Sequence, residues 1–383
     1  MNKPQQPIKL TETVNKLLIN NDSPSSLTIE QCASALAMSM TSFRRKLAQE
    51  ESSYKLIQSK FLNELCIQAL LTKSVKIDHL AIKLGYSERA TFERAFRKKF
   101  GISPAQFREL SLIGNDKSSR QNVISIAQKL PPMPDSCQQL LREKEHESLN
   151  IARVVSIIDK DPILVGRIMG LANKAIYGKT PKNVRDAISR NLGLTTAINL
   201  AISYAVTDAL QNQVSQIIIR QYTQAFLLAP KLFNLMRRST LKALTKDVAL
   251  TEQVLVFALL GIFLLSHKQS GKHELMLYSL QGISDLRLLN LHIQESMGIS
   301  IFSASALMLS LWHIDAEVIK KLTQINRVSQ GKSKGNEEEE LLLFMLSCLY
   351  VSAREEQDCS ELEQKALLLK IDNFDEIKTL LFR

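Results

Sequence analysis

The chain contains an internal repeat near its N-terminus, and this repeat limits the fold more than any other feature. The stretch "TIEQCASALAMSMTSFRRKL" at 28–47 matches "KIDHLAIKLGYSERATFERAF" at 76–96, with Phe43 against Phe92. Each copy predicts a short helix, a tight turn, and a second helix that opens at a serine, Ser39 or Ser87. Two helical units of the same design are therefore expected within about 70 residues.

Local signals support the helix starts and the turns of both copies. Thr28 and Gln31 have the spacing of a capping box in the first copy, and Asp78 is a suitable N-cap in the second. Gly85 stands where the turn needs a positive φ, which a residue with a Cβ adopts only at a cost of about 1 kcal/mol. The first copy has Ala37 at this position.

The remainder of the chain also favours helices. Apolar residues recur at spacings of three and four, and only 13 Gly and 10 Pro are present in 383 residues. The fold class is expected to be all-α. Polar breaks at 111–120 and 329–340 predict an N-terminal domain at 1–110, a linker at 111–120, a domain at 121–383, and a long solvated loop within that domain.

Composition points to an anionic partner and a reducing compartment. Residues 1–110 hold 17 Lys and Arg against 10 Asp and Glu, whereas the rest holds 32 against 28, so the N-terminal domain is the basic one. Five scattered cysteines without metal-binding spacing predict free thiols in the cytoplasm. The apolar run at 254–265 has 12 residues and predicts a buried core helix rather than a membrane span.

The second repeat predicts a helix with one aromatic and one cationic face. Phe92, Phe96 and Phe100 recur every four residues and form the expected buried stripe. A narrow cationic helix face fits the major groove of B-DNA, where Arg reads guanine and Lys or Arg pairs with phosphate. The candidate DNA-binding residues are Arg89, Ala90, Thr91, Arg94, Arg97 and Lys98, together with Thr41, Arg44 and Arg45 of the first copy. A basic helix that is simply solvated on a helical bundle is the alternative.

The string "IKLGYSERATFERAFRKKFGISPAQFR" at 82–108 closely resembles the C-terminal signature of AraC-type transcription regulators. The resemblance covers about residues 25–110. It implies a double helix-turn-helix domain whose two units are joined by a long helix, here roughly at 53–71, and present recognition helices to successive major grooves. Ala37, Glu51 and Leu62 depart from the pattern, so the first unit is expected to be the altered one, with sequence specificity affected more than DNA affinity.

The C-terminal part resembles the HDOD signalling domain, which is related in fold to HD-type phosphohydrolases. "LPPMP", "DPILVGRIMGLANKAIYG" and "AISRNLGL" carry this resemblance at 130–194, and a later helix pair at 295–322 fits it. Asp161 and Pro162 predict one helix start, Gly178 a helix end, and Gly193 a helix break.

The sequence favours no catalytic or metal site. None of the six His is followed by Asp, and the apolar helix at 256–266 occupies the position expected for the His-Asp motif. We expect no enzyme activity, no catalytic residue, no metal and no cofactor. Trp312 is expected in the core, and the run Glu337–Glu340 is expected to be a solvated charge run.

These features predict a cytoplasmic bacterial DNA-binding transcriptional regulator with a catalytically inactive HDOD sensory or interaction domain. The partners expected are double-stranded DNA, and a protein or a small-molecule signal at the HDOD domain; a homodimer is left open, and no membrane is expected. The alternative is a non-enzymatic signal-transduction scaffold that binds a protein rather than DNA.

Overall fold

The structure, a computed structural model, divides into two compact units, Met1–Glu109 and Leu110–Arg383. It describes residues 9–50, 52–72, 75–100, 102–110, 123, 125–127, 130, 133–144, 149–173, 180–210, 212–238, 247–312, 314–354 and 358–382. Every regular element within these ranges is helical, which confirms the all-α fold class. The linker expected at 111–120 lies outside the described residues, so the domain boundaries stay a prediction.

The described residues of the N-terminal part form seven helices. They are α1 (Leu10–Ile19), α2 (Ile29–Ala35), α3 (Met40–Gln49), α4 (Tyr54–Thr72), α5 (Ile77–Lys83), α6 (Arg89–Phe100) and α7 (Pro104–Leu110). The pairs α2–α3 and α5–α6 are the two repeat copies, and α4 joins them within a residue of its expected bounds.

Side-chain caps set several of these helix starts. Thr28 and Gln31 form the expected capping box of α2, and Ser39 accepts the Ser42 N–H at the start of α3. The Asp78 prediction was wrong, because α5 begins at Ile77 with Lys76 at its N-cap and no side-chain cap. The helix expected to open at Ser87 begins two residues later, at Arg89.

A contact across 40 residues fixes the first helix. The Glu50 carboxylate, at the end of α3, accepts the backbone N–H groups of Leu10 at 2.7 Å and Thr11 at 2.9 Å. These N–H groups have no partner inside α1, because they belong to its first turn. Val14 and Leu18 then pack α1 into the same core as Phe43. The first repeat copy is thereby built onto α1 rather than standing alone.

The C-terminal unit continues with a first group of helices up to a π-helical segment. They are α8 (Asp135–Lys144), α9 (Ile151–Asp159), α10 (Pro162–Ala172) and α11 (Val184–Asp186), the last running into π-helical Ala187–Leu192. Asp161 caps α10 with Pro162 in its first turn, and the chain breaks at Gly193, both as expected. The end expected at Gly178 lies outside the described residues.

The larger part of this unit follows Gly193. Its elements are α12 (Leu194–Leu210), α13 (Gln216–Arg238), α14 (Val248–Phe257), α15 (Gly261–Leu265), the 3₁₀ turn Lys268–Ser270, α16 (His273–Gly282), α17 (Leu286–Met297), α18 (Ile301–Leu311), α19 (Ala316–Ser329), α20 (Glu337–Ser352), α21 (Ser360–Leu368) and α22 (Phe374–Leu381). Trp312 is buried, as expected.

The apolar run in α14 and α15 is longer than the sequence indicated. Val248–Leu265 is an 18-residue helical stretch with a mean hydropathy of 2.3, so by length and composition alone it could cross a membrane. The argument from 12 residues was therefore wrong. Burial supports the core assignment instead, because 83% of this stretch is buried inside the unit.

The predicted solvated loop at 329–340 was wrong over its last four residues. Glu337–Glu340 form the first turn of α20, where Asn336 and Glu339 make a capping box. Glu338 pairs with Lys321 at 2.8 Å, and Glu340 pairs with Arg287. Four acids at a helix N-terminus are favourable because they meet the positive end of the helix dipole.

Candidate nucleic-acid interface

Helix α6 is held in place by an aromatic cluster on its inner face. Phe92, Phe96 and Phe100 are each 2–3% exposed, as the four-residue spacing predicted. The Phe96 ring lies 4.4 Å from that of Phe100 and 5.5 Å from that of Phe107 on α7, measured between centroids. Aromatic rings in such contact add about 0.5–1.5 kcal/mol per pair beyond their burial. The orientation of α6 is therefore fixed by its own sequence and by α7.

The outer face of α6 carries most of the cationic residues that were predicted from the sequence to bind DNA. Arg89, Ala90, Arg94, Arg97 and Lys98 are all exposed, and Thr91 is half-buried. The Arg94 guanidinium donates to the Thr91 hydroxyl at 3.4 Å, which keeps it along the helix surface. Ala90, Arg94, Arg97 and Lys98 thus share one face of α6, whereas Arg89, seven residues before Phe96, lies on the side of the aromatic stripe. The contact of these residues with DNA stays a prediction.

Arg89 also differs from Arg94, Arg97 and Lys98 in its partners. Its Nε donates to the Glu93 carboxylate at 2.7 Å, and its Nη1 lies 3.6 Å from the carboxylate of Asp78 on α5. Sequence reasoning grouped Arg89 with Arg94 and Arg97 and missed this pair. The spacing of Arg89 and Glu93, four residues apart on a helix, is the signal that identifies the pair.

Helix α3 repeats this arrangement in the first unit. Phe43 and Leu47 are buried, and Thr41, Arg44 and Arg45 are exposed, as expected. Leu62, one of the departures from the family pattern, lies half-buried on α4, and Glu51 lies outside the described residues.

The turn before each outward helix has a positive φ in both copies. It is +86° at Gly85 and +50° at Ala37. Gly85 also faces Ser25 so closely that an added Cβ would lie 2.8 Å from the Ser25 Cβ. The first unit therefore keeps the turn geometry of the second while using a residue that adopts it less readily.

Three further side chains hold the segments before α2 and α5 in place, and sequence reasoning missed them. Gln58 on α4 donates to the Pro24 and Leu27 carbonyls, each at 2.9 Å, and the Tyr54 hydroxyl also donates to the Leu27 carbonyl. Arg108 on α7 donates to the Val75 carbonyl at 2.8 Å. These contacts span 27 to 34 residues, so no local pattern indicates them.

The described part of the C-terminal unit brings no three His, Cys, Asp or Glu side chains together in a metal-binding arrangement. The stretch Val256–Ser266, the position expected for the His-Asp motif, is buried throughout and mostly apolar. His267 is buried, which lowers its pKa, and its Nδ1 accepts the Gln269 N–H at 3.1 Å. This imidazole is a neutral cap of the 3₁₀ turn.

These observations define a class of protein with a double helix-turn-helix unit followed by a second, helical unit. A family model described as a helix-turn-helix domain matches residues 32–110, and a model described as the HDOD domain matches residues 130–328. Because the second match covers more than half of the chain, the chain belongs to the HDOD domain family.

Curated relatives each match a short part of the chain. The HTH-type transcriptional regulator VqsM of Pseudomonas aeruginosa is 41% identical over 76 residues, which is 20% of this chain and 23% of VqsM. The HTH-type transcriptional regulator GadX of Escherichia coli K12 is 28% identical over 109 residues, 28% of this chain and 39% of GadX. The chain thus spans 23% to 39% of the length of these relatives.

Two solved structures are similar to parts of this chain. A DNA-binding transcriptional dual regulator from Escherichia coli K-12 is 26% identical and covers 28% of this chain and 96% of its own, with a TM-score of 0.24. An HDOD domain protein of unknown function from Geobacter sulfurreducens is 12% identical and covers 68% of this chain and 89% of its own, with a TM-score of 0.47.

Proposed function

We propose that the protein is a cytoplasmic transcriptional regulator that binds double-stranded DNA through α3 and α6. The observation that carries this proposal is the pairing of a buried aromatic stripe with an exposed cationic face on α6. The aromatic stripe has already fixed the orientation of this helix. The helix therefore presents Arg and Lys to a groove without having to turn first. The relatives named as HTH-type transcriptional regulators support the proposal.

The two helix-turn-helix copies divide the DNA contacts between them. Arg94 and Arg97 of α6 approach base edges and phosphates in one major groove, while Arg44 and Arg45 of α3 do so in the next, about 34 Å away. Arg89 attracts the DNA phosphates less strongly, because the Glu93 and Asp78 carboxylates already offset its charge in the free protein. Lys98 adds a phosphate contact at the end of α6.

The HDOD unit acts without catalysis in this proposal. The support is the apolar stretch at 256–266, because a phosphohydrolase needs carboxylate and imidazole ligands around a divalent metal. Its role is to receive a signal or a partner. Metal analysis of the purified full-length protein tests this point: a stoichiometric divalent metal held after dialysis would contradict it.

Genome-wide mapping of bound DNA tests the proposed function in cells. The wild type is expected to give discrete sites, and the double variant Arg94→Ala, Arg97→Ala is expected to lose them at equal protein level. Lys320→Ala with Arg327→Ala removes the same charge from exposed positions of the C-terminal unit and serves as the control. No discrete sites for the wild type would favour the protein-binding scaffold instead, and unchanged occupancy in the Arg94, Arg97 variant would contradict the role proposed for α6.

A further inference from the structure

The loop at 21–27, between α1 and α2, contacts both repeat copies. Thr28, the N-cap of α2, follows it directly, so the loop leads into the first copy. The Ser25 hydroxyl donates to the Lys83 carbonyl at 3.2 Å, across 58 residues. Lys83 is the last residue of α5, where a carbonyl has no partner within its own helix. This segment, the bridging loop, therefore links the first copy to the second by a route other than α4.

Gly85, in the turn of the second copy, makes this link possible. A Cβ added to Gly85 would lie 2.8 Å from the Ser25 Cβ and 2.9 Å from its Oγ, closer than Cβ atoms approach other atoms in proteins. Because glycine has no side chain, the bridging loop rests directly on the turn between α5 and α6. Gly85 thus serves two purposes, since it also supplies the positive φ of that turn.

Hydrogen bonds within the bridging loop restrict its conformation. The Asn21 side chain accepts the Ser23 N–H at 2.8 Å, an arrangement that favours a single turn geometry. Ser26 donates its N–H and its hydroxyl to the Ser23 carbonyl, at 3.0 and 2.9 Å. Pro24 is buried, and its ring fixes φ. A loop restricted in this way can hold the two copies at a fixed distance.

Gln58 attaches the bridging loop to α4. Its side-chain amide donates to the Pro24 and Leu27 carbonyls, each at 2.9 Å, with a longer contact of 3.4 Å to the Ser25 carbonyl. Helix α4 runs from the first copy to the second. The bridging loop, α4 and the turn between α5 and α6 therefore form a closed circuit of contacts, which holds α3 and α6 at one separation and one angle.

We infer that the bridging loop determines which spacing of DNA segments the protein binds, with Ser25 and Gln58 as positioning residues. The inference rests on the proposed function, because it requires α3 and α6 to enter major grooves of one duplex. Those grooves lie about 34 Å apart. Each inserted base pair shifts the second groove by about 3.4 Å and rotates it by about a tenth of a turn. A rigid pair of helices accepts one spacing, whereas a loosened pair accepts several.

Binding of the full-length protein to duplexes of altered spacing tests the inference. The probe is a duplex that the wild type enriches from a random library, compared with the same duplex carrying two extra base pairs between the two segments that the protein protects from cleavage. The insertion is expected to weaken wild-type binding by about tenfold or more, since it misplaces the contacts in one groove. In Ser25→Ala, and in Gln58→Glu, which keeps the side-chain volume but loses the N–H donors, this penalty is expected to fall to about threefold or less.

The comparison of two spacings separates positioning from general stability. A destabilised protein binds both duplexes more weakly by the same factor, whereas a loosened one loses the difference between them. Ser23→Ala changes an exposed serine of the same loop and is the matched control, which should keep the wild-type penalty. Ser25→Ala removes a single hydroxyl, so it carries the test alone if circular dichroism shows that Gln58→Glu is unfolded.

Three outcomes would overturn the inference while DNA binding itself stands. They are a single protected segment, equal wild-type affinity for both spacings, and a full penalty retained in Ser25→Ala. A wild-type protein that binds no duplex would overturn the inference together with the proposed function.

Discussion

At the scale of single residues, the two repeat copies form the same turn with two different residues. The backbone is left-handed at Ala37 and at Gly85. Only glycine adopts this region without steric cost. The alanine of the first copy therefore makes its turn less stable than a glycine would.

Exchanging these two residues therefore has opposite effects. Ala37→Gly is expected to raise the local unfolding free energy of α2 and α3 by about 1 kcal/mol. Gly85→Ala is expected to lower that of α5 and α6 by more than this, because its Cβ would also crowd Ser25. Hydrogen exchange of the full-length protein measures both, and a gain at both positions would contradict the account.

Glu50 makes the stability of α1 depend on pH. Burial raises the pKa of its carboxyl, but the N–H groups of Thr11 and Leu10 outweigh this and lower it below the ordinary value of 4.5. A lowered pKa in the folded state means that the stabilisation is complete above the ordinary value and is lost as pH falls through the lower one.

The protection of α1 amides should therefore fall on the acid side in the wild type. Glu50→Gln is expected to weaken α1 at neutral pH and to remove this part of the acid dependence. Hydrogen exchange between pH 3 and 7 measures it. An acid profile unchanged by Glu50→Gln would show that other carboxyl groups are responsible.

At the scale of elements, α6 depends on its aromatic stripe. Phe96→Ala removes a ring that contacts Phe92, Phe100 and Phe107. It is expected to cost about 3–5 kcal/mol and to abolish DNA binding, because α6 would lose its fixed orientation. Phe96→Leu keeps most of the volume and should cost less. Denaturant unfolding and DNA titration of both variants test this. A Phe96→Ala protein that is destabilised by this amount and still binds DNA with wild-type affinity would contradict it.

The contact of α15 with α18 tolerates no side chain at Gly261. An added Cβ would lie 2.2 Å from the Ile301 carbonyl oxygen, and the Gly261 N–H donates to the Ser305 hydroxyl at 2.7 Å. Gly261→Ala is expected to cost at least 1–3 kcal/mol in thermal or denaturant unfolding. Gly166→Ala, in open space on α10, is the control and should be neutral or stabilising. Equal stability of the two variants would refute the close contact.

At the scale of the whole molecule, local patterns predicted the parts of the fold that local chemistry determines. The Thr28 and Gln31 box, the phenylalanine stripe of α6 and the Asp161–Pro162 start are each encoded within a few residues, and the structure has them. The outward positions of Arg94 and Arg97 follow from the same periodicity.

Contacts between distant segments could not be predicted in this way. Glu50 caps a helix 40 residues away, and Gln58 binds a loop more than 30 residues away. The start of α20 was missed for a different reason. Four consecutive glutamates resemble a solvated run, although Asn336 and Glu339 already had the spacing of a cap.

The salt dependence of duplex DNA binding tests the central claim most directly. If the exposed cations of α3 and α6 meet phosphates, the dissociation constant of the wild type should rise steeply with salt, with a log–log slope of about 0.9 per contact. The variant Arg94→Ala, Arg97→Ala should lower that slope by up to about 2, whereas the Lys320, Arg327 control should not. A wild-type protein that ignores duplex DNA at low salt, or a slope unchanged by losing both arginines, would contradict the account.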